Sequence, residues 1–336
     1  MPDTPARPQT RTTRPRSGKD YRLAVDVGNT QTVLGLFDGP RILKHWRLAT
    51  RRDLTVDEIT LSLQGLVLPG LTQRNVSVRC ALASVVPAQD APWRAALATV
   101  FGGGERTPPR VLSHRDCGGL RLDYELPSQI GADRLANVLG ARALGIREGI
   151  VVDFGTATTF DVFSDGVYHG GVICPGLQTG MRALAQNAAR LHEAELSWPT
   201  AAVGRTTDEA LRIGILRGAV GMVEHLLRDI LSERNMRDPV ILATGGLAPW
   251  MKGRAASIRR FEPDLTLVGI NALFDSPAPR SVPPSSAAKS RKPLPPAPAK
   301  KQPDTVQAGA HPPPKKNVSP SSRRSPAPAR SGRKPS

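Results

Sequence analysis

An aspartate closing an apolar run, followed at once by glycine and small hydroxyl or amide side chains, can hold a phosphorylated ligand. The chain presents this set at Val25-Asp26-Val27-Gly28-Asn29-Thr30-Gln31-Thr32-Val33. An Asp at a strand end can carry a hydrated magnesium ion, which keeps most of its waters. Gly28 lets the backbone approach a phosphate closely. Amide N–H groups and the side chains of Asn29 and Thr30 can donate to phosphate oxygens. The same residues would also make an ordinary β-hairpin turn, and one copy alone favours that plainer reading. A second copy reverses the balance. Val152-Asp153-Phe154-Gly155-Thr156-Ala157-Thr158-Thr159 repeats the pattern, and Asp165-Gly166 falls against Asp38-Gly39. Six of fifteen positions are identical at a spacing of 127 residues, with Asp, Gly, Thr and the closing Asp-Gly all in step. Paired, the two loops would grip a triphosphate from two sides. The chain lacks the Gly-x-x-x-x-Gly-Lys-Ser/Thr of a P-loop, and no Gly-x-Gly-x-x-Gly opens a helix after a strand.

The surrounding patterns supply the elements that must position these residues. Residues 23–27 read as a buried strand, 32–37 as its hairpin partner and 42–48 as a third strand after the tight Asp38-Gly39 turn. Helices are expected at 56–68, 91–101 and 132–144, with a strand at 81–86 ended by Pro87. After the second hairpin come a strand at 167–173, a helix through 181–191, a long helical stretch at 208–231, a strand at 240–243 and a closing helix at 265–274. Two α/β halves, each opening on a hairpin, would enclose a cleft.

The net charge of +17 invites a nucleic-acid reading, but the charge is in the tails. Residues 1–20 carry +3 and residues 276–336 carry +12, leaving the 255 residues between them at +2. Those two segments also hold twenty of the thirty-two prolines. Too poor in apolar side chains to offset the entropy of ordering, they are expected to be disordered. Cys80, Cys117 and Cys174 are scattered and odd in number, which suggests neither a disulfide framework nor a zinc site and fits a reducing cytosol. No apolar run is long enough for a transmembrane helix. The N-terminal arm has the Arg and Ser/Thr of a transit peptide but is too Pro-rich for its amphipathic helix. The six histidines have no metal-ligand spacing.

With these pieces in view, the paired hairpins resemble the phosphate loops of actin, sugar kinases and their relatives. The further stretches 83–87, Gly131-Ala132-Asp133-Arg134, 170–176 and 243–247 occur in an order similar to that of type III pantothenate kinase over roughly residues 21–275. The resemblance implies two ribonuclease H-like halves around a nucleotide cleft, the fold of actin-like ATPases. The halves are expected at 21–147 and 148–275, flanked by disordered basic tails at 1–20 and 276–336. It implies phosphorylation of pantothenate by ATP at the start of coenzyme A synthesis, with magnesium, a monovalent cation (potassium or ammonium), a homodimer and a cytoplasmic location.

By the same resemblance, Asp26, Val27, Gly28, Asn29, Thr30, Gln31, Thr32 and Val33 form the first ATP loop, and Thr156 adds a second ATP contact. Asp153 is the monovalent-cation ligand. Tyr124, Gly131, Ala132, Asp133, Arg134 and Thr207 form the pantothenate site, with Asp133 as general base. Arg205 and Thr206 stand where the family commonly has Lys-Asn before that threonine, so the local geometry there is open. The residues alone leave Asp133 open between a base and a helix-dipole partner of the first turn. An early helical position beside Arg134 is expected to favour its ionised form. Arg134 could clasp pantothenate's carboxylate or make a surface ion pair, and Tyr124 could line the pocket or simply pack. Thr244-Gly245-Gly246 could pass near the adenosine or be a plain turn.

Two other functions fit the same features. The hairpins could serve a different kinase or a phosphatase. Alternatively the chain could be a regulatory or nucleic-acid-binding accessory protein, its basic tail holding polyanions weakly and without sequence specificity. The tail could equally be a solubilising extension.

Overall fold

The computed structural model describes residues 19–71, 77–102, 108–188 and 191–277. The expected arm and tail lie outside them apart from Lys19, Asp20, Ser276 and Pro277. In the first half, β1 (Tyr21–Val27), β2 (Gln31–Asp38) and β3 (Arg41–Ala49) form an antiparallel meander. Helix α1 (Val56–Leu66) begins with a reciprocal capping box between Thr55 and Glu58. It leads to β4 (Arg79–Ser84), which lies parallel to β1. Helix α2 (Pro87–Phe101) leads to β5 (Arg110–Val111), parallel to β4. Pro87 does more than end the strand: it occupies the first helical position, where its missing N–H costs nothing, so the helix opens earlier than the expected 91.

The second half repeats this plan. Strands β7 (Glu148–Phe154), β8 (Ala157–Ser164) and β9 (Val167–Pro175) form the meander. Parallel additions are β10 (Val240–Thr244) on β7 and β11 (Arg260–Phe261) on β10. The sheet orders are β3-β2-β1-β4-β5 and β11-β10-β7-β8-β9-β6, where β6 (Arg121–Leu122) is an extra parallel strand on the edge of β9. Apart from β6, order and direction match strand for strand, and both sheets are ribonuclease H-like. Helices α4 (Leu177–Asn187), α5 (Thr207–Arg212) and α6 (Gly218–Arg234) fill the long connection from β9 to β10. Helix α4 stops at Asn187, short of the expected 191. A π-helical turn at Ile213–Arg217 joins α5 to α6.

Between the sheets run α3 (Ala132–Ala143) and α7 (Leu265–Ala272). Leu135, Val138 and Leu139 of α3 share one core with Ala24, Ala81 and Ala83 of the first sheet, Val151 and Phe163 of the second, and Leu267 and Ile270 of α7. Burying each such leucine or isoleucine is worth about 1.5–3 kcal/mol. The two helices touch backbone to backbone through glycines. A Cβ at Gly140 would stand 2.3 Å from the Leu265 carbonyl oxygen, and one at Gly269 1.8 Å from that of Ala136. Separate cores cover the outer faces, with α1 and α2 on the first sheet and α6 on the second.

Candidate active site

Strand alternation explains why the two repeated aspartates face one cleft. In β1, Leu23, Val25 and Val27 point to the outer core while Ala24 joins the inner one. Asp26 follows Ala24 on the inner face. In β7, Ile150, Val152 and Phe154 point outward and Val151 inward, so Asp153 continues the inner face of its sheet. Each carboxylate therefore lies just beyond the end of the α3–α7 core, facing the opposite half. Asp26 feels the charges of Asp133 and Asp153, and Asp153 that of Asp133. Burial chiefly, then Asp133 and Asp153, raise Asp26 well above the usual carboxylate range. Burial, partly offset by a hydrogen bond from Asn137, pushes Asp153 up to about 6, with Asp133 adding to the rise.

The loops themselves meet: Thr30 Oγ1 and Thr156 Oγ1 are 2.8 Å apart. The first hairpin leaves four residues between Val27 and Thr32, the second three between Phe154 and Thr158. The sequence repeat therefore slips by one across the turn, and Thr32 corresponds in pairing to Thr158, not Thr159. Asn29, Thr30 and Gln31 are exposed at the cleft, and Gly28 is pinned by its amide donating to the Gln31 carbonyl at 3.1 Å. Val27 and Thr32 are buried, with the Thr32 hydroxyl engaged by Thr50 at 2.8 Å, and Val33 packs on the inner core. These three and Gly28 hold the loop; Asn29, Thr30, Gln31 and Thr156 present side chains to the cleft. Helix α4 starts against the second loop, where Thr179 Oγ1 donates to the Thr156 carbonyl at 2.6 Å. A Cβ at its cap, Gly176, would stand 2.3 Å from that same oxygen.

Helix α3 brings in the third carboxylate. Asp133 Oδ1 accepts from the Arg134 amide at 2.8 Å. Gly131 makes room for it, since a Cβ there would lie 2.4 Å from that oxygen. Ala132 is buried. The expectation that helix and Arg134 hold Asp133 ionised is met only in part. Both lower its pKa, but burial outweighs them and the net direction is upward. One turn along α3, Asn137 Nδ2 donates to Asp153 Oδ2 at 2.9 Å while Asn137 Oδ1 accepts from Thr266 of α7 at 2.7 Å. Sequence reasoning missed Asn137, although its i+4 spacing from Asp133 marked the shared face.

Arg134 is turned inward. Its Nε donates to Asp161 Oδ1 at 2.7 Å and its Nη2 to the Phe160 carbonyl at 3.0 Å, with only 6% of the residue exposed. Burial raises Asp161 and the guanidinium opposes it, while Arg134 stays charged. Tyr168 donates to the same Asp161 oxygen at 3.1 Å and lies 6.2 Å, ring centre to ring centre, from Tyr124. Tyr124 and α3 thus share a wall built on Tyr168 and Asp161, neither of which the sequence singled out. Thr207 opens α5, exposed, behind the Thr206 cap that receives the Glu209 amide. No hydrogen bond among the described residues joins it to the other site residues. In the Thr244-Gly245-Gly246 turn, Gly245 has φ of 90°, and a Cβ there would stand 2.4 Å from Asp153 Oδ1. The turn is a backing for Asp153.

A family model described as type III pantothenate kinase matches residues 22–229. The chain belongs to that family. Among similar type III pantothenate kinases, the protein of Desulfosudis oleivorans is 38% identical over 256 residues, covering 76% of this chain and 98% of that one. That of Streptomyces griseus is 37% identical over 260 residues, covering 75% and 97%. That of Anaeromyxobacter sp. strain K is 39% identical over 255 residues, covering 75% and 98%. In this family member the repeated hairpins, the Gly131–Arg134 stretch and the glycine turn behind Asp153 border one cleft. The described residues hold no helix long and apolar enough to cross a membrane.

Proposed function

We propose that this chain is a type III pantothenate kinase, transferring the γ-phosphoryl group of ATP to the 4′-hydroxyl of pantothenate at the first step of coenzyme A synthesis. One observation carries the reading: two phosphate-type hairpins touch at Thr30 and Thr156 beside three carboxylates. Asn29, Thr30, Gln31 and Thr156 donate to the phosphate chain, and Gly28, whose amide already donates to the Gln31 carbonyl, shapes the turn that presents them. Asp133 orients the pantothenate hydroxyl and accepts its proton as that oxygen bonds to γ-phosphorus. The bond from γ-phosphorus to the bridging oxygen breaks, and ADP leaves. A carboxyl raised by burial is better matched to taking a proton near neutral pH than a free aspartate. Tyr124, Gly131, Ala132 and Thr207 border the pantothenate, and Arg134 stiffens that wall from behind through Asp161.

Asp26 and Asp153 fit cations as single carboxylate acceptors, since burial chiefly, with neighbouring carboxylates adding to it, leaves both short of neutralising charge. Asp26 would hold hydrated magnesium, which needs only one or two carboxylates beside the phosphates, and Asp153 a potassium or ammonium ion. When bound, these ions neutralise charge on the phosphates. Homodimerisation, a cytoplasmic location and halves bounded at 147/148 belong to the same proposal.

The test is ADP release by the purified chain with ATP, magnesium, potassium and pantothenate. Turnover is expected, and an inactive wild type would remove the assignment. Asp133→Asn should lose roughly 10²–10⁴-fold in kcat; a fully active variant would spare the function and refute the base.

A further inference from the structure

We propose that Arg47 of β3 binds the nucleotide's phosphate chain from across the mouth of the cleft. The proposal rests on the reading of the cleft as an ATP site. It begins from a deficit: neither hairpin, 26–33 nor 153–159, contains a lysine or arginine. A polyphosphate held by amides and hydroxyls alone lacks the charge-assisted contacts that make such sites tight.

The sheet supplies a cation in the right row. Register sets Asp26 opposite Val33 and Val33 opposite Arg47, a line running across β1, β2 and β3. Directly opposed residues share a face, and Val33 packs on the inner core, so Arg47 emerges on the face that carries Asp26. Its Nη1 donates to Gln31 Oε1 of the first loop at 2.9 Å. A side chain begun at Gly246, in the turn after β10 of the other half, would meet that same nitrogen at 3.7 Å. The guanidinium thus hangs between the first phosphate loop and the turn backing the second. It is exposed, and it makes no ion pair among the described residues. Of its five N–H donors, the contact to Gln31 uses one. Its charge already reaches the cleft, drawing the Asp26 pKa down against burial. The plainer account is a surface Arg–Gln hydrogen bond, which would leave nucleotide binding indifferent to this residue.

The experiment compares wild type, Arg47→Gln, Arg47→Lys and Arg147→Gln. The last removes an equal charge from an exposed arginine paired with Asp165 on the β8–β9 turn. Affinity for ATP with magnesium is measured by titration calorimetry, with steady-state KM for both substrates and a thermal melt. Arg47→Gln should weaken ATP binding about 10–100-fold and leave the pantothenate KM within about twofold. Arg47→Lys should recover part of the loss, keeping the charge without the fork. Arg147→Gln should change neither, and all variants should melt close to wild type. An Arg47→Gln protein that binds ATP within twofold of a competent wild type overturns the proposal. So does an equal loss for ATP and pantothenate, which would mark general disruption. A wild type that does not bind ATP overturns both this proposal and the kinase reading.

Discussion

Gly131→Ala tests the placement of the proposed base without touching it. Gly131 precedes α3 with φ of −58° and ψ of 141°, values open to alanine. The substitution therefore brings no backbone strain, only a methyl group. That methyl would stand 2.4 Å from Asp133 Oδ1 and 3.6 Å from Val85 Cγ1. The carboxylate oxygen must withdraw about 0.6 Å for the contact to reach even 3.0 Å. The same oxygen holds the Arg134 amide at 2.8 Å, so the retreat also loosens the bond that fixes the carboxylate's rotamer. Misplacement approaching 1 Å can cost about 10²-fold in rate, so kcat should fall roughly 10–100-fold. The fold forfeits one hydrogen bond, about 1 kcal/mol, and Tm should drop about 2–4 °C. Turnover at saturating ATP and pantothenate, beside a thermal melt, separates the two effects. A kcat within twofold of wild type would refute the claim that Asp133 must sit where Gly131 lets it sit. A Tm loss beyond about 10 °C would refute the argument differently, by showing that the methyl disturbs more than the carboxylate.

Gly269→Ala forces a methyl onto the Ala136 carbonyl oxygen at 1.8 Å and must part α3 from α7. It should cost about 3 kcal/mol, a Tm drop of roughly 6–12 °C, with catalysis falling too because α3 carries Asp133; an unchanged melt would contradict the close packing. Asp161→Ala leaves Arg134 charged and buried with only the Phe160 carbonyl, and should cost about 3–5 kcal/mol in denaturant unfolding. Asn137→Leu removes the donor that lowers the Asp153 pKa. If cation binding needs ionised Asp153, wild-type turnover should fall as pH drops through about 6, and the variant's acid limb should lie at higher pH. Stability of the cation-free protein has the opposite sign. A folded pKa raised from 3.8 to about 6 means the folded state binds more protons between those values, so Asp153 contributes stability as pH falls through that window. A pH–rate profile and pH-dependent melts, with and without potassium, check both signs.

What was legible in the sequence depended on how many residues carried each signal. The strands around Asp26 and Asp153 are largely apolar runs of seven residues closed by a glycine turn, so their positions could be read. Strands β5, β6 and β11 span two residues each and give no period to read. The repeat was visible, yet its register slipped by one. Asp38-Gly39 begins a turn with Gly39 alone at positive φ (57°), while Asp165 and Gly166 are both left-handed at 46° and 78°. The same dipeptide serves two different hairpins. Asn137, Asp161 and Tyr168 stayed hidden because their value lies in partners 16, 27 and 7 residues away, which only the folded chain brings close.

The repeat also shows how duplicated residues acquire different chemistry. Asp26 and Asp153 occupy equivalent strand positions, but only Asp153 is grasped, by Asn137, which Thr266 in turn orients. Among the described residues no hydrogen-bond donor reaches the Asp26 carboxylate, and Arg47 acts on it through charge alone. A carboxylate fixed by a buried amide suits a partly dehydrated monovalent ion, for which the protein supplies the geometry. A carboxylate without such a donor suits an ion that brings its own ordered water shell and needs only an acceptor for it. The helix pair that joins the halves supplies this difference, because α3 and α7 approach through Gly140 and Gly269 closely enough for Asn137 and Thr266 to meet beside the second aspartate and not the first. Two like hairpins thus present two unlike carboxylates to one cleft.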